Sequence, residues 1–208
     1  MENSDDKVWE LYLLAKEILQ GKKDYQKTLL HLISFVKEDH LQIIEIENEE
    51  GFRPIEYVDT SEWKEYIKTE ESLLSDVPEV EMLIVNCDEV SSMILDGSTV
   101  KGLLFGEKVR KLSHDYLWQK LRYLYVDEKN PYFCAEEDVL FSHDKSILYA
   151  YASQKPETEY RVEKSVQTIA SKAFRHAKNL QKVYLPKSVK VAKDAFDAKK
   201  KVIIEYYE

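Results

Sequence analysis

The sequence predicts an α/β solenoid, a coil of short stacked repeats preceded by a mostly helical segment. Three observations carry that prediction. A pattern of apolar, two variable positions, apolar, variable, apolar recurs as VEMLIV from Val80, VKGLLF from Val100, LRYLYV from Leu121 and LQKVYL from Leu180. A second signature follows it, as VRKLSHDYL (Val109–Leu117), VQTIASKAF (Val166–Phe174) and VKVAKDAF (Val189–Phe196). The spacing is regular: steps of 20 and 21 residues link Val80, Val100 and Leu121, and 22 residues separate both Phe174 from Phe196 and Leu180 from Val202. One such unit cannot bury its own apolar face, so neighbouring copies must stack.

Residues 1–79 read differently. Val8, Leu11, Tyr12, Ala15, Ile18 and Leu19 fall at helical steps, with Ser4 to Asp6 as start signals and Gly21 as a stop. Tyr25, Leu29, Leu32, Ile33 and Val36 repeat that pattern behind Asp24 as an N-cap, predicting a second helix antiparallel to the first. LQIIEI (Leu41–Ile46) fits the strand template, and Trp63, Ile67, Glu70 and Leu74 predict a third helix over Ser61–Ser75. The region is expected to be either a cap that shields the first coil or an independent helical domain.

Within residues 80–208 the last three residues of each LxxLxL unit are expected to form a short strand whose apolar side chains face the coil interior. In the AF signature, Phe fills the core and the preceding Ala lets the chain approach closely. Between two repeats lies YLYVDEKNPYFCAEEDVLFSHDKSILYAYA (Tyr123–Ala152), in which Asn130-Pro131 signals a turn. Val139–Phe141 and Ile147–Tyr151 are expected to pair as a hairpin across SHDK, an island at about residues 127–152.

This combination of strand, NPY, hairpin and AF repeat resembles the BspA-type leucine-rich repeats of bacteria, over about residues 80–208. The resemblance implies a right-handed β/α leucine-rich-repeat solenoid, here with an N-terminal α-helical cap. It also implies a non-enzymatic module for protein–protein interaction, since relatives are often displayed on bacterial surfaces and bind host or neighbouring-cell proteins. The chain departs from the family where glycine is usual: those positions hold Asp138, Ala170, Ala192 and Ser113.

Composition bounds the function classes. Hydrophobic residues make up 44% and charged residues 33% of 208, which suits a packed core. The apolar runs LLHLI, MLIV and GLLF are far short of a bilayer span of roughly 20 residues. The acidic start MENSDDKVWELYLL lacks the features of a signal peptide, so the sequence as given is expected to be cytoplasmic, or displayed on the cell surface or secreted if a leader was removed. The net charge of −9 is unevenly spread. Residues 1–79 carry 9 basic and 20 acidic side chains, a net of −11, whereas Lys155–Lys201 carries 13 and 5, a net of +8. That end either suits an acidic partner or is a solvated lysine face; overall acidity disfavours nucleic acid.

A search for chemistry finds little. Cys87 and Cys134 read as small apolar residues, and the five histidines are scattered without metal spacing. GSTVKG (Gly97–Gly102) lacks the order of a phosphate loop, and ENEEGF (Glu47–Phe52) lacks the alternating ligands of a calcium loop. His143-Asp144 sits in a predicted hairpin tip and reads as a turn. No catalytic residue, metal or cofactor is expected.

Binding is the natural use of the scaffold, with a protein as the partner. On the concave strand face one outward column holds Ile84, Leu104, Tyr125 and Tyr184; its neighbour holds Met82, Gly102, Tyr123 and Lys182. Such an apolar and aromatic stripe is either a partner contact or the seat of another part of the chain, the hairpin or the acidic N-terminal region. A recognition role for the helical N-terminal region, as in a cytoplasmic adaptor or regulator, is the competing expectation.

Overall fold

The repeats fold as stacked coils, and the second signature of each repeat forms a short strand. The structure, a computed structural model, describes residues 4–20, 32–37, 41–46, 55–59, 82–85, 89–90, 100–112 and 119–208. One helix, α1 (Ser4–Leu19), is followed by β1 (Leu32–Lys37), β2 (Leu41–Ile46) and β3 (Ile55–Asp59). The coils begin with β4 (Met82–Val85), β5 (Glu89–Val90), β6 (Gly102–Phe105), β7 (Lys111–Leu112) and β8 (Tyr123–Val126). An inserted meander follows: β9 (Phe133–Glu136), β10 (Val139–Ser142) and β11 (Ile147–Tyr151). The chain then runs through β12 (Glu159–Arg161), β13 (Thr168–Ile169), β14 (Lys182–Pro186), β15 (Lys190–Val191) and β16 (Ile203–Tyr207).

The architecture is a β-solenoid of about five coils, with little helix among the described residues. One face carries the sheets β1-β2-β3-β4-β6-β8 and β12-β14-β16; the other carries β5-β7 and β15-β13-β11-β10-β9. Strands of successive coils pair in parallel, Leu83 with Leu103 and Leu103 with Leu124, so each repeat places the same residue type at the same level. Inward residues Leu83, Val85, Leu103, Phe105, Leu124 and Val126 form one buried core with Phe133 and Leu140 from the insert. A second core joins Ile169, Phe174, Val183 and Leu185.

The AF signature does what its residue types suggest. Ala173 and Ala195 are buried, and the Phe174 amide donates to the Ala195 carbonyl at 2.8 Å, a coil-to-coil contact that a larger residue would crowd. The rings of Phe174 and Phe196 stack at 5.0 Å with 5° between their planes. Tyr151 stands one coil earlier, 5.3 Å from Phe174.

The island is tied in by one residue. Asn130 is 1% exposed; its amide nitrogen donates to the carbonyls of Gly106 (2.7 Å) and Val109 (3.0 Å), and its oxygen accepts from the amides of Tyr132 (2.8 Å) and Phe133 (2.9 Å). All the hydrogen-bonding capacity of the side chain is thereby used, which explains why the NPY turn needs asparagine. The predicted hairpin forms, with Val139 opposite Tyr151, and β9 adds a third strand through the two-residue turn Glu137-Asp138. Both turn residues have positive φ, 47° and 58°, the mirror-image turn that matches strand twist. Asp138 Oδ1 accepts the Leu124 amide at 2.9 Å, pinning the turn beneath β8.

Three expectations change. Leu32–Lys37 is a strand antiparallel to β2, not part of a helix over Tyr25–Val36. Leu32, Ile33 and Val36 satisfy helical spacing, but the run LISFVK is also short and rich in β-branched and aromatic residues, and pairing with LQIIEI decides between the two readings. The expected helices of a β/α coil are replaced in the last coils by two-residue strands. The helix expected over Ser61–Ser75 lies outside the described residues. Finally, Lys182 pairs with Ile203, a step of 21 residues rather than the 22 that separate Leu180 from Val202. A one-residue difference reverses which side chains face inward, so Ile204 and Tyr206, not Glu205, take the core phase of the last strand.

Candidate functional site

Alternation along each strand sends every second side chain away from the core, and the parallel register lines these up in columns. In the first coils the columns are those expected from sequence: Met82, Gly102 and Tyr123 lie at one level, Ile84, Leu104 and Tyr125 at the next. They are not open. Met82, Ile84 and Leu104 are fully buried and Tyr123 nearly so, in a cluster closed by Tyr12 and Ala15 of α1. Of the two alternatives for the apolar stripe, contact surface or seat of another part of the chain, the second holds for these four residues: α1 covers them.

The cover is specific. The Tyr12 ring stacks on Tyr123 at 4.8 Å, and Trp9 approaches both at 5.2 and 5.4 Å. Gln20 Nε2 donates to the Tyr125 hydroxyl at 2.8 Å, and the Lys16 ammonium lies 4.5 Å from the Tyr125 ring centre. Gly102 has a role here: a Cβ at that position would come within 2.3 Å of the Met82 sulfur, so its lack of a side chain lets Met82 lie flat under the helix. Burial pushes the Tyr12 phenol well above its ordinary range, with Asp138 adding to the shift.

The last coils carry a different face. Glu159, Lys182 and Ile203 share one level, and Arg161, Tyr184 and Glu205 the next. The exposed Arg161 guanidinium lies 4.8 Å from the Tyr184 ring centre and 4.5 Å from that of Tyr207. Lys182 Nζ binds Glu205 Oε1 at 2.7 Å and lies 4.8 Å from the Tyr184 ring centre. The Tyr184 hydroxyl donates to Glu159 Oε2 at 3.1 Å. The Glu205 carboxylate, and then Tyr184, hold the Lys182 ammonium well above its usual pKa. No described element covers this network, which presents aromatic rings and paired charges together. Sequence reasoning found Lys182 and Tyr184 but not Arg161, Glu159 or Tyr207. Glu157 occupies the first apolar position of the β12 unit and hides it from the template.

Two of the described residues considered for chemistry, Asp144 and Cys134, are tied to the hairpin that holds them. Asp144 Oδ1 accepts from Ser142 Oγ (2.7 Å), Ser146 Oγ (2.8 Å) and the Ser146 amide (3.0 Å), which lower its pKa to about 2. A carboxylate so engaged is too weak a base for proton transfer near neutrality. Cys134 is half-buried, with its thiol pushed up by burial and 3.3 Å from the Ser142 carbonyl. Among the described residues no group of three or more His, Cys, Asp and Glu side chains is placed to hold a metal. No described helix is long and apolar enough to cross a membrane.

Fold and site together define a repeat solenoid with a two-part strand face. Similar solved structures include a leucine-rich repeat protein from Eubacterium ventriosum, at 12% identity and a TM-score of 0.46, covering 85% of this chain and 72% of that one. A leucine-rich cell surface protein from Faecalibacterium prausnitzii matches 61% of this chain at 19% identity and a TM-score of 0.46; the match spans 33% of that protein. The pneumococcal vaccine antigen PcpA matches 84% of this chain and 69% of its own at 14% identity and a TM-score of 0.37. No family model matches the sequence, and no curated protein matches it.

Proposed function

We propose that the chain is a non-enzymatic protein-binding module whose recognition surface is the uncovered half of the strand face, centred on Tyr184 and Lys182 with Arg161. The observation that carries this reading is the contrast in cover: α1 occupies the apolar half, while the aromatic and charged half is left open. Tyrosine and arginine held by neighbours in fixed rotamers lose little entropy on binding, which suits them as contact residues. On this reading Met82, Ile84, Leu104, Tyr123 and Tyr125 seat the helix instead of meeting the partner.

A second reading rests on α1 itself. Trp9 and Leu13, four residues apart, are 46% and 42% exposed and offer an apolar pair for a partner. Affinity capture from lysate and from extracellular matrix with the wild-type chain, Arg161→Ala/Tyr184→Ala and Trp9→Ala/Leu13→Ala separates the two. The proposal expects a protein retained by the wild type to be lost by the first variant, with its circular dichroism unchanged, and kept by the second. Loss by the second variant alone assigns recognition to the helix and overturns the strand-face reading.

A further inference from the structure

We infer that the Arg161 guanidinium anchors the open strand face and takes a single carboxylate, the side chain of an aspartate or glutamate on a protein partner. This rests on the strand-face reading above and names the chemistry that the face recognises. Within the network, Lys182 and Glu205 hold each other at 2.7 Å, and Glu159 accepts the Tyr184 hydroxyl at 3.1 Å. Arg161 is left over. Its side chain is exposed, and among the described residues its N–H groups meet no carboxylate or other acceptor.

What holds Arg161 is aromatic. Its guanidinium carbon lies 4.8 Å from the Tyr184 ring centre and 4.5 Å from that of Tyr207. Both rings are pinned through their hydroxyls, Tyr184 to the Glu159 carboxylate and Tyr207 to the carbonyl of Val162, the residue just after β12. A guanidinium attracted to ring faces keeps its N–H groups for oxygen acceptors. The planar fork is thus held in place with its hydrogen-bonding capacity unused. Two parallel charge-assisted bonds to an oxyanion can form there with little of the ordering that a free arginine must undergo.

The neighbours decide which oxyanion fits. Glu159 stands two residues before Arg161 on the same side of β12, and Glu205 shares the level of Arg161 and Tyr184. Lys182 is neutralised by Glu205, so Arg161 supplies one positive charge with two carboxylates near it. A carboxylate carries one negative charge and matches that surplus. A phosphate monoester carries about two, and would bring the second against Glu159 and Glu205 with no cation to meet it. The half-buried Tyr184 and Tyr207 rings beside the fork add apolar area, so the fitting acidic residue has apolar neighbours, not further acids.

Selection of random displayed peptides on the 208-residue chain, followed by calorimetric titration of the retained peptides, tests the assignment. The expected peptides share one Asp or Glu. Replacing it with Asn or Gln is expected to weaken binding about thirtyfold on the wild type but less than about threefold on Arg161→Gln, the coupling of a direct pair. Arg161→Gln should leave circular dichroism unchanged, since the side chain is exposed. Phosphoserine in place of the acidic residue is expected to bind more weakly than the carboxylate. Peptides that need Arg161 and Tyr184 but no acidic residue overturn the inference and leave the strand-face reading standing. Peptides whose binding ignores Arg161→Gln and Tyr184→Ala alike overturn both. Tighter binding of the phosphoserine form overturns the assignment of a carboxylate. A library from which the wild type retains nothing also overturns the inference, while the capture experiment still decides the face.

Discussion

The two halves of the strand face share one backbone plan and differ in what the outward columns carry. In β4, β6 and β8 the outward residues are Met82, Ile84, Gly102, Leu104 and Tyr123, and a helix seals them. In β12, β14 and β16 they are Glu159, Arg161, Lys182, Tyr184 and Glu205, joined to one another across strands and left open. The inward columns are alike in both halves because stacking imposes them. The outward columns are not imposed by the coil, so their composition records what lies above each half. The lesson extends to any solenoid: repeat identity describes the scaffold, and divergence between copies describes its cover.

One substitution placed in each half breaks the comparison most sharply. Leu104→Asp buries a carboxylate in the apolar cluster beneath α1, and is expected to destabilise the fold by about 4 kcal/mol or more. Tyr184→Asp in the open half loses a ring contact with Arg161 in water, a cost of about 1 kcal/mol. Urea unfolding of both variants gives the difference directly. Similar midpoints for the two would mean that α1 does not hold the first half closed.

The next effect is smaller and tests the seat of the helix. Gly102→Ala drives a methyl group into the Met82 sulfur, and because Met82 is fully buried it cannot swing into solvent. The expected loss is about 1–3 kcal/mol, typical of an overpacked core. Met82→Ala removes the obstacle, so the double variant should be less destabilised than the sum of the two single changes. Strict additivity would sever the proposed contact.

Much of this scaffold was legible in the chain because repetition restates each constraint. Leu83, Leu103 and Leu124 occupy the same phase three times, and two AF pairs mark the opposite side. The helix α1 was legible from the spacing of Leu11, Tyr12, Ala15 and Leu19; its resting place was legible only as one alternative for the apolar stripe, because nothing local to those residues names a tertiary partner. The apolar nature of Ile84 and Leu104 did hint that something lies above them. The strand at Leu32–Lys37 was misread since a short apolar run satisfies both periods, and the antiparallel partner that settles it is distant in the reasoning though near in sequence. Arg161 was missed for the reverse reason: its unit begins with Glu157, so the template saw no repeat where the backbone makes one.

The smallest expected effect joins the two halves, at the turn where the insert meets β8. Asp138 lies partly buried, and burial raises its pKa despite the Leu124 amide bond and the nearby Lys155. A carboxyl whose folded pKa lies above its unfolded value favours the fold when protonated. That contribution is complete below the unfolded carboxylate range and is lost as pH rises through the folded pKa. At neutral pH the wild type has therefore lost it. Asp138→Asn keeps an oxygen for the Leu124 amide, carries no charge and tolerates the left-handed backbone at φ 58° as well as aspartate does. The variant should unfold at a slightly higher urea concentration than the wild type at pH 7, and the two should converge near the acid end of the titration. A variant less stable at pH 7 would show that attraction to Lys155 outweighs the burial of the carboxylate, and that the insert is held to the first half by charge more than by hydrogen bonding.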